Sequence, residues 1–159
     1  MQTSESRLFS LRSEFHRAVV ELLTRSRVSI AMADKDFSDW PLETPEAIEQ
    51  ISRILKQPHS ILRLMVHSPE WLEQRGARFA QLRRTFAGRI ECRQAPATVA
   101  AGEGLLIGDH LHLMRRAHFR SYRGRATFAM PEQVEPWRHK LQALWDESTA
   151  CLTATTLGL

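Results

Sequence analysis

The sequence predicts an α/β sandwich with one mixed sheet, parallel in its first strands and antiparallel in a late hairpin, flanked by helices. Short apolar runs alternate with amphipathic stretches through the first two thirds of the chain. Residues 61–66 are almost continuously apolar, as in strands buried on both faces of a parallel sheet. Residues 104–115 have an apolar run, a Gly108-Asp109 turn and then a second run in which apolar and polar residues alternate. This pattern is typical of a hairpin. Helix–strand alternation followed by a hairpin indicates a mixed sheet.

The bounds of most elements follow from periodicity and from helix start signals. Residues 5–26 carry apolar side chains at spacings of three and four, which predicts one amphipathic helix. Thr44 before Pro45 predicts an N-cap with proline at the first helical position. Ser68-Pro69 predicts the same start for a helix that ends at Gly88. The remaining predicted elements are strands at 28–33, 61–66, 89–93 and 123–130 and a final helix from Pro131.

Length and composition indicate one soluble domain. The chain has 159 residues, which suits a single domain over residues 1–150 and a C-terminal tail over 151–159. The apolar runs are too short to cross a bilayer and the N-terminus has no hydrophobic leader, so we expect a cytoplasmic location. Cys92 and Cys151 lack metal-ligand spacing, and we expect both to be reduced thiols.

The charge balance favours acidic partners but does not identify one. The formal net charge is +4, and lysine occurs only at Lys35, Lys56 and Lys140, so arginine supplies most of the positive charge. Arginine suits bidentate contact with phosphate or carboxylate. The same bias also follows from a GC-rich genome, so composition leaves the partner open.

The order of elements resembles one half of the phospholipase D superfamily. Residues 28–68 are similar to the first two strands of that family, and residues 104–114 (GLLIGDHLHLM) with 131–148 (PEQVEPWRHKLQALWDES) are similar to its closing hairpin and helix. The chain is also similar to an uncharacterised bacterial family of degenerate members. The resemblance implies a phospholipase D-like sandwich. Since single-half members pair, it also implies a homodimer with the hairpin and the tail near the contact.

The catalytic motif of that superfamily is incomplete here. Active members carry a histidine, a lysine two residues on and an aspartate five further on. With Asp109 at the aspartate position, the histidine and lysine positions hold Gly102 and Gly104. Glycine cannot replace an attacking imidazole. The incomplete motif implies a non-catalytic domain, and we expect neither a cofactor nor a metal. Asp109, in a Gly-Asp-His turn, is more simply a hairpin residue that bonds its own backbone.

The leading candidate site is the arginine-rich and aromatic segment that follows the hairpin. Arginine interleaved with aromatic side chains suits phosphate neutralisation and base stacking. The alternative is a solvated loop with Phe119 and Tyr122 in the core. The candidate anion-binding or nucleic-acid-binding residues are Arg115, Arg116, His118, Arg120 and Arg123.

A second candidate is a ligand cleft at the ends of predicted strands, formed by Asp34, Asp36, His67 and Asp109. Open α/β sheets bind ligands at the carboxyl ends of their strands, and carboxylates beside an imidazole suit acid–base chemistry or a metal. The alternative is a set of loop caps and a hydrogen-bonded core histidine. His110 and His112, expected on one face of a strand, are too few ligands for a metal site.

Three functions remain open at this point. The first is a non-catalytic domain that binds an anionic partner, with RNA or DNA as the first choice. The second is a protein-interaction or regulatory module. The third is an enzyme that uses Asp34, Asp36, His67 or His118.

Overall fold

One mixed sheet of eight strands organises the protein, whose computed structural model describes residues 3–100 and 102–152. The strands are β1 (Glu5–Phe9), β2 (Ser29–Asp34), β3 (Ile61–Val66), β4 (Ile90–Gln94), β5 (Gly104–Gly108), β6 (His112–Arg116), β7 (Gly124–Phe128) and β8 (Thr149–Ala150). The helices are α1 (Arg12–Arg25), α2 (Pro45–Leu55), α3 (Glu70–Arg75), α4 (Ala77–Thr85) and α5 (Pro131–Asp146). The strand order is β1-β7-β6-β5-β2-β3-β4-β8. β2, β3 and β4 run parallel and the other pairs are antiparallel, which confirms the predicted mixed sheet.

Helices cover both faces of the sheet. The helices α1 to α4 pack on one face, in a core that includes Phe15, Ile51 and Phe79. The helix α5 packs on the other face through Val134, Leu141 and Trp145. Because successive strand residues point to opposite faces, each strand contributes side chains to both layers.

The predicted helix over residues 5–26 is wrong in its first third. Residues Glu5–Phe9 form the edge strand β1, which pairs antiparallel with β7. The helix begins only at Arg12, where the Glu14 carboxylate accepts hydrogen bonds from the backbone N–H groups of Ser10 (3.1 Å) and Leu11 (3.0 Å). Leu8, which fitted the helical period, is 72% exposed. Pairing with a distant strand overrides the local period here.

The helix predicted from Ser68 to Gly88 is divided into α3 and α4 at Gly76. Ser68 does not cap it, since Pro69 stands at the N-cap of α3 without a side-chain bond. The second helix starts where the Glu43 carboxylate accepts the N–H groups of Arg78 (2.9 Å) and Phe79 (2.7 Å). A carboxylate from another loop thus caps the first turn of α4.

The start of α2 is as predicted. Its N-cap Thr44 accepts a hydrogen bond from the Ala47 N–H at 3.3 Å, with Pro45 at the first helical position.

The last described strand lies at the lateral side of the sheet, next to β4. The strand β8 pairs with β4, and the Cys151 N–H continues this pairing by donating to the Cys92 carbonyl at 3.0 Å. Both cysteines are free thiols, and burial raises the pKa of Cys92 to about 12 and that of Cys151 to about 11. Residues 153–159 of the predicted tail lie outside the described residues.

Among residues 3–100 and 102–152, no helix combines the length and the apolar character needed to span a membrane.

Candidate anion-binding site

The candidate site lies at the edge of the sheet where the parallel strands β2, β3 and β4 end. Because β5 runs antiparallel to β2, and β6 antiparallel to β5, the start of β5 and the end of β6 lie at this same edge. Ala33 pairs with Leu105 and Gly104 pairs with Arg116, so Asp34 is followed across the sheet by Gly104 and Arg116. We call this the carboxyl edge. The loop after β2 and the loop after β6 both lie there.

Arg116 lies in the interior, which corrects its placement in a surface interface. Its side chain is 2% exposed. Its guanidinium donates to the carbonyls of Ser121 (2.5 Å) and Phe119 (2.7 Å) and to the Asp39 carboxylate (3.1 Å). The aromatic rings of Phe15 and Tyr122 flank the same cation. Arg116 therefore fixes the loop over residues 117–123 from beneath.

Arg115 points to the opposite face of the sheet, because neighbouring residues of a strand alternate. Its guanidinium lies 3.7 Å from the centre of the Trp137 ring of α5. It also donates two hydrogen bonds to one Glu103 carboxylate oxygen, at 3.0 and 2.7 Å. The expected cluster of adjacent arginines is therefore divided by the sheet, and Arg115 is already paired.

Two cations and a histidine surround the Phe119 ring of the loop over residues 117–123. The Lys35 ammonium, from the end of β2, lies 4.3 Å from the centre of the Phe119 ring. The His118 ring stacks on Phe119 at 4.3 Å, and the Arg120 guanidinium lies 5.5 Å from its centre. His118 and Arg120 are exposed, and Lys35 and Phe119 are half-buried. We call these four residues the Phe119 cluster.

Arg123 lies on the other side of the same loop. It is exposed and lines an open groove of about 460 Å³ together with Arg115 and Arg125. Glu14 and Glu103 line the groove as well and offset part of its positive charge. Among the predicted residues, His118 and Arg120 lie together, while Arg123 faces this separate groove.

Asp34 is a buried carboxylate at the carboxyl edge. One oxygen accepts the backbone N–H groups of Phe37 (2.9 Å) and Asp36 (3.3 Å), which shapes the loop after β2. Burial raises the pKa of Asp34, and the N–H donors of Phe37 and Asp36 oppose this rise. Asp34 thus supports the loop that carries Lys35.

Asp36 and His67 are the other predicted cleft residues at this edge. The Asp36 carboxylate accepts from the N–H and the hydroxyl of Ser38, at 2.9 and 2.8 Å, so it caps its own loop. Both ring nitrogens of His67 are buried without a hydrogen-bond partner among the described residues. The expected hydrogen bond of a core histidine is therefore missing.

Asp109 lies at the opposite edge of the sheet, which corrects its place in the predicted cleft. It follows β5, whose end pairs with the start of β2. Its carboxylate accepts hydrogen bonds from the N–H groups of Arg27 (2.7 Å), Val28 (2.9 Å) and Ser29 (3.0 Å). Asp109 was expected to bond its own backbone. Its carboxylate instead bonds the backbone of the residues that lead into β2.

His110 and His112 do not share a face. His110 stands in the turn with a φ of 58° and is exposed, whereas His112 is buried and accepts the Ala129 N–H at 2.9 Å. Burial lowers the pKa of His112. In the described part of the chain, no three His, Cys, Asp or Glu side chains are grouped so as to hold a metal ion.

The two glycines at the motif positions have different surroundings. A Cβ at Gly104 would lie 3.0 Å from an Asp34 carboxylate oxygen and 3.3 Å from the Trp40 ring, so a lysine does not fit there without a shift. A Cβ at Gly102 would have nothing within 4 Å.

Sequence reasoning missed Lys35, whereas it included Phe119 in the aromatic candidate segment. Lys35 directly follows β2 and lies between two aspartates. Its position at the carboxyl end of a strand, where open sheets bind ligands, could have identified it as a candidate. Phe119 was assigned to the core in the alternative interpretation of the loop. Only the fold brings β2 and the end of β6 together.

Comparisons with known structures show the same fold. The archaeal chromatin protein TrmBL2 matches with a TM-score of 0.67 at 14% identity, over 92% of this chain and 54% of TrmBL2, so this chain spans about half of that protein. Nuc, a phospholipase D family member from Salmonella typhimurium, matches with a TM-score of 0.65 at 13% identity, over 94% of this chain and 99% of Nuc. NucT from Helicobacter pylori matches with a TM-score of 0.62 at 9% identity, over 94% of this chain and 100% of NucT.

The search among curated proteins gave no match. A family model described as "Domain of unknown function (DUF7931)" matches residues 11–157. The sandwich of a mixed eight-stranded sheet between helices agrees with the phospholipase D-like neighbours. The chain therefore belongs to the DUF7931 family, and its fold is phospholipase D-like.

Proposed function

We propose that the protein is a non-catalytic phospholipase D-like domain that binds the phosphates of a nucleic acid at the Phe119 cluster. The observation that carries the proposal is the convergence of Lys35, His118 and Arg120 on the Phe119 ring at the carboxyl edge. The two cations, Lys35 and Arg120, suit phosphate contact, and the half-exposed Phe119 ring between them suits contact with a base. Arg123 extends the positive surface on the other side of the loop.

Preorganisation of the loop supports this proposal. Buried Arg116 holds the carbonyls of Phe119 and Ser121, and its contact to Asp39 ties this loop to the one after β2. A binding loop that is already ordered loses less conformational entropy when a ligand binds. The interior arginine therefore serves binding indirectly, through the position of its neighbours.

The surroundings of the motif positions support a non-catalytic role. Gly102 supplies no imidazole, and the space at Gly104 is restricted by Asp34 and Trp40. Without the attacking histidine, the covalent phosphoryl chemistry of the fold has no nucleophile at that position. The cations of the Phe119 cluster can still neutralise a phosphate.

The neighbour TrmBL2 gives a looser support. It is described as a chromatin protein with a novel mode of DNA binding, and this chain shares its fold over about half of its length. At 14% identity the similarity extends to the fold alone, so the interface proposed here rests on the Phe119 cluster.

The test is fluorescence anisotropy with labelled single-stranded RNA and double-stranded DNA at two salt concentrations. We expect binding that weakens steeply with salt, since each phosphate contact releases counterions. The double variant Lys35→Ala/Arg120→Ala should weaken binding at least tenfold at the lower salt concentration. Its salt dependence should also become shallower.

A matched control removes the same two charge types at the opposite edge of the sheet. Arg27 and Lys56 are exposed there, and Arg27→Ala/Lys56→Ala should weaken binding much less. Equal losses in both double variants would indicate a nonspecific charge effect and overturn the proposed site. No binding of either probe at low salt would overturn the nucleic-acid function and favour a protein-interaction module.

We also propose a homodimer, which the resemblance implies for a domain that corresponds to one half of the superfamily's paired site. β5 and β6 are paired on both sides in the sheet, so the hairpin offers no free strand edge. A contact near the hairpin would then use its ends or its turn rather than strand pairing. Light scattering at micromolar concentration should give twice the monomer mass, and a monomer there would contradict the proposal.

A further inference from the structure

A second cationic site lies beneath α5, at the edge of the sheet opposite the Phe119 cluster. A cavity of about 120 Å³ is bounded by Ser29 and Ile61, the first residues of β2 and β3, and by residues of α5. Its walls are mainly apolar, with Ala31, Ile107, Leu141 and Trp145 among them. A closed apolar cavity of about 150 Å³ holds a benzene molecule, so this partly open one suits a body of about one ring.

One arginine in this cavity lacks a counter-charge. Arg63 projects from the middle of β3 towards α5, and its guanidinium lies 5.3 Å from the centre of the Trp145 ring. Its Nε is buried without a hydrogen-bond partner. No carboxylate of the described residues lies within 4.0 Å of its nitrogens, although Glu91 is its neighbour on β4.

Arg93 also lies near the Trp145 ring, at 5.4 Å from its centre, but it donates to the Ser148 carbonyl and does not line the cavity. Arg138 lines the cavity but pairs with Glu135 at 3.0 Å. His110 lines it from the turn between β5 and β6. An unpaired buried N–H donor costs free energy unless a ligand or water satisfies it. The cavity therefore offers one unmatched positive charge in an apolar surround.

We propose that this cavity binds a small organic monocarboxylate, with the carboxylate on Arg63 and an apolar body of about one ring against Trp145 and Leu141. A guanidinium matches a carboxylate in planar, two-bonded geometry. Of the two arginines that line the cavity, Arg138 is paired with Glu135 and Arg63 is not, which matches a single negative charge. This site is separate from the proposed nucleic-acid interface and extends the function beyond it.

The test is an NMR titration with sodium benzoate, at constant ionic strength, that follows the indole N–H resonance of Trp145. We expect a saturable shift with benzoate, and at least tenfold weaker binding of benzyl alcohol, which has the ring without the charge. No saturable shift up to roughly 10 mM benzoate would overturn the proposal. Equal affinity for benzyl alcohol would also overturn it, since the cavity would then be an apolar site without a role for Arg63.

Two variants localise the effect. Arg63→Met keeps an apolar stem without the charge and should weaken benzoate binding at least tenfold, whereas Arg75→Met, on the exposed side of α3, should not. Ala31→Leu fills the cavity and should abolish benzoate binding while Arg63 is intact. This variant tests the site even if Arg63→Met fails to fold. Benzoate affinity that survives Ala31→Leu would overturn the proposal.

The two proposed sites can fail independently. Lys35→Ala/Arg120→Ala should leave the benzoate titration of Trp145 unchanged. Arg63→Met should leave nucleic-acid binding unchanged.

Discussion

Arg115 and Arg116 are adjacent in β6, yet their guanidinium groups lie on opposite faces of the sheet. Arg116 lies over Phe15 beneath α1, and Arg115 lies over Trp137 of α5. Each is committed to internal partners, through Phe119 and Ser121 carbonyls for one and Glu103 for the other. The two adjacent arginines resemble a surface patch in the sequence. In the structure each one stabilises contacts on a different face of the sheet.

We expect Arg116→Met to destabilise the fold by about 3 kcal/mol or more, because it removes the interior donor of the Phe119 and Ser121 carbonyls and the ion-pair partner of Asp39. Urea denaturation measures the change. Arg120→Met, at an exposed position of the same loop, should change stability by less than about 0.5 kcal/mol. Similar effects of the two substitutions would contradict the interior role of Arg116.

We expect Gly104→Ala to cost about 1–3 kcal/mol, because its Cβ would lie 3.0 Å from the Asp34 carboxylate and 3.4 Å from the Arg116 Cβ. Gly102→Ala, in open space, should cost less than about 0.5 kcal/mol. Thermal unfolding of the two variants provides the comparison. A tolerated alanine at position 104 would show that a side chain fits there and would weaken the argument against a lysine.

We expect Asp109→Ala to cost about 2–3 kcal/mol, since three backbone N–H groups at the start of β2 lose their acceptor. The backbone there has a φ of 54°, which alanine tolerates poorly. Asp109→Asn should lose less, because asparagine tolerates this backbone and keeps one acceptor oxygen. Denaturation midpoints of both variants test the order; an equal loss in both would indicate that the charge matters more than the geometry.

We expect the free energy of unfolding to fall as the pH drops below about 6.5, in part because burial lowers the pKa of His112. The folded state then binds fewer protons than the unfolded state, so stability is complete above the unfolded pKa and is lost as the pH falls towards the folded one. Burial also lowers the pKa of His16, in the same direction. Stability measured between pH 7 and 5 should therefore depend less on pH in His112→Phe.

The control for this pH dependence is Met114→Leu, at a buried position of the same strand that carries no titratable group. It should keep the wild-type slope between pH 7 and 5. A His112→Phe variant with an unchanged slope would show that the buried ring does not contribute to the acid loss.

Short-range signals were sufficient for the sandwich and for most of its elements. The apolar run of β3, the Thr44 cap of α2 and the proline at the start of α5 each act within a few residues, so a single sequence displays them. The same signals failed for β1, whose residues fit a helical period but pair with a strand more than a hundred residues away.

The arrangement of the candidate anion-binding site depended on contacts between residues far apart in the sequence. The sequence by itself determined that cations and aromatic residues follow the hairpin, and that glycines replace the histidine and lysine of the phospholipase D motif. Only the tertiary structure decided that Arg116 is interior, that Asp109 lies at the opposite edge and that Lys35 meets Phe119. The physical reason is that strand alternation and strand pairing assign each side chain to a face and an edge, and pairing joins residues far apart in the chain.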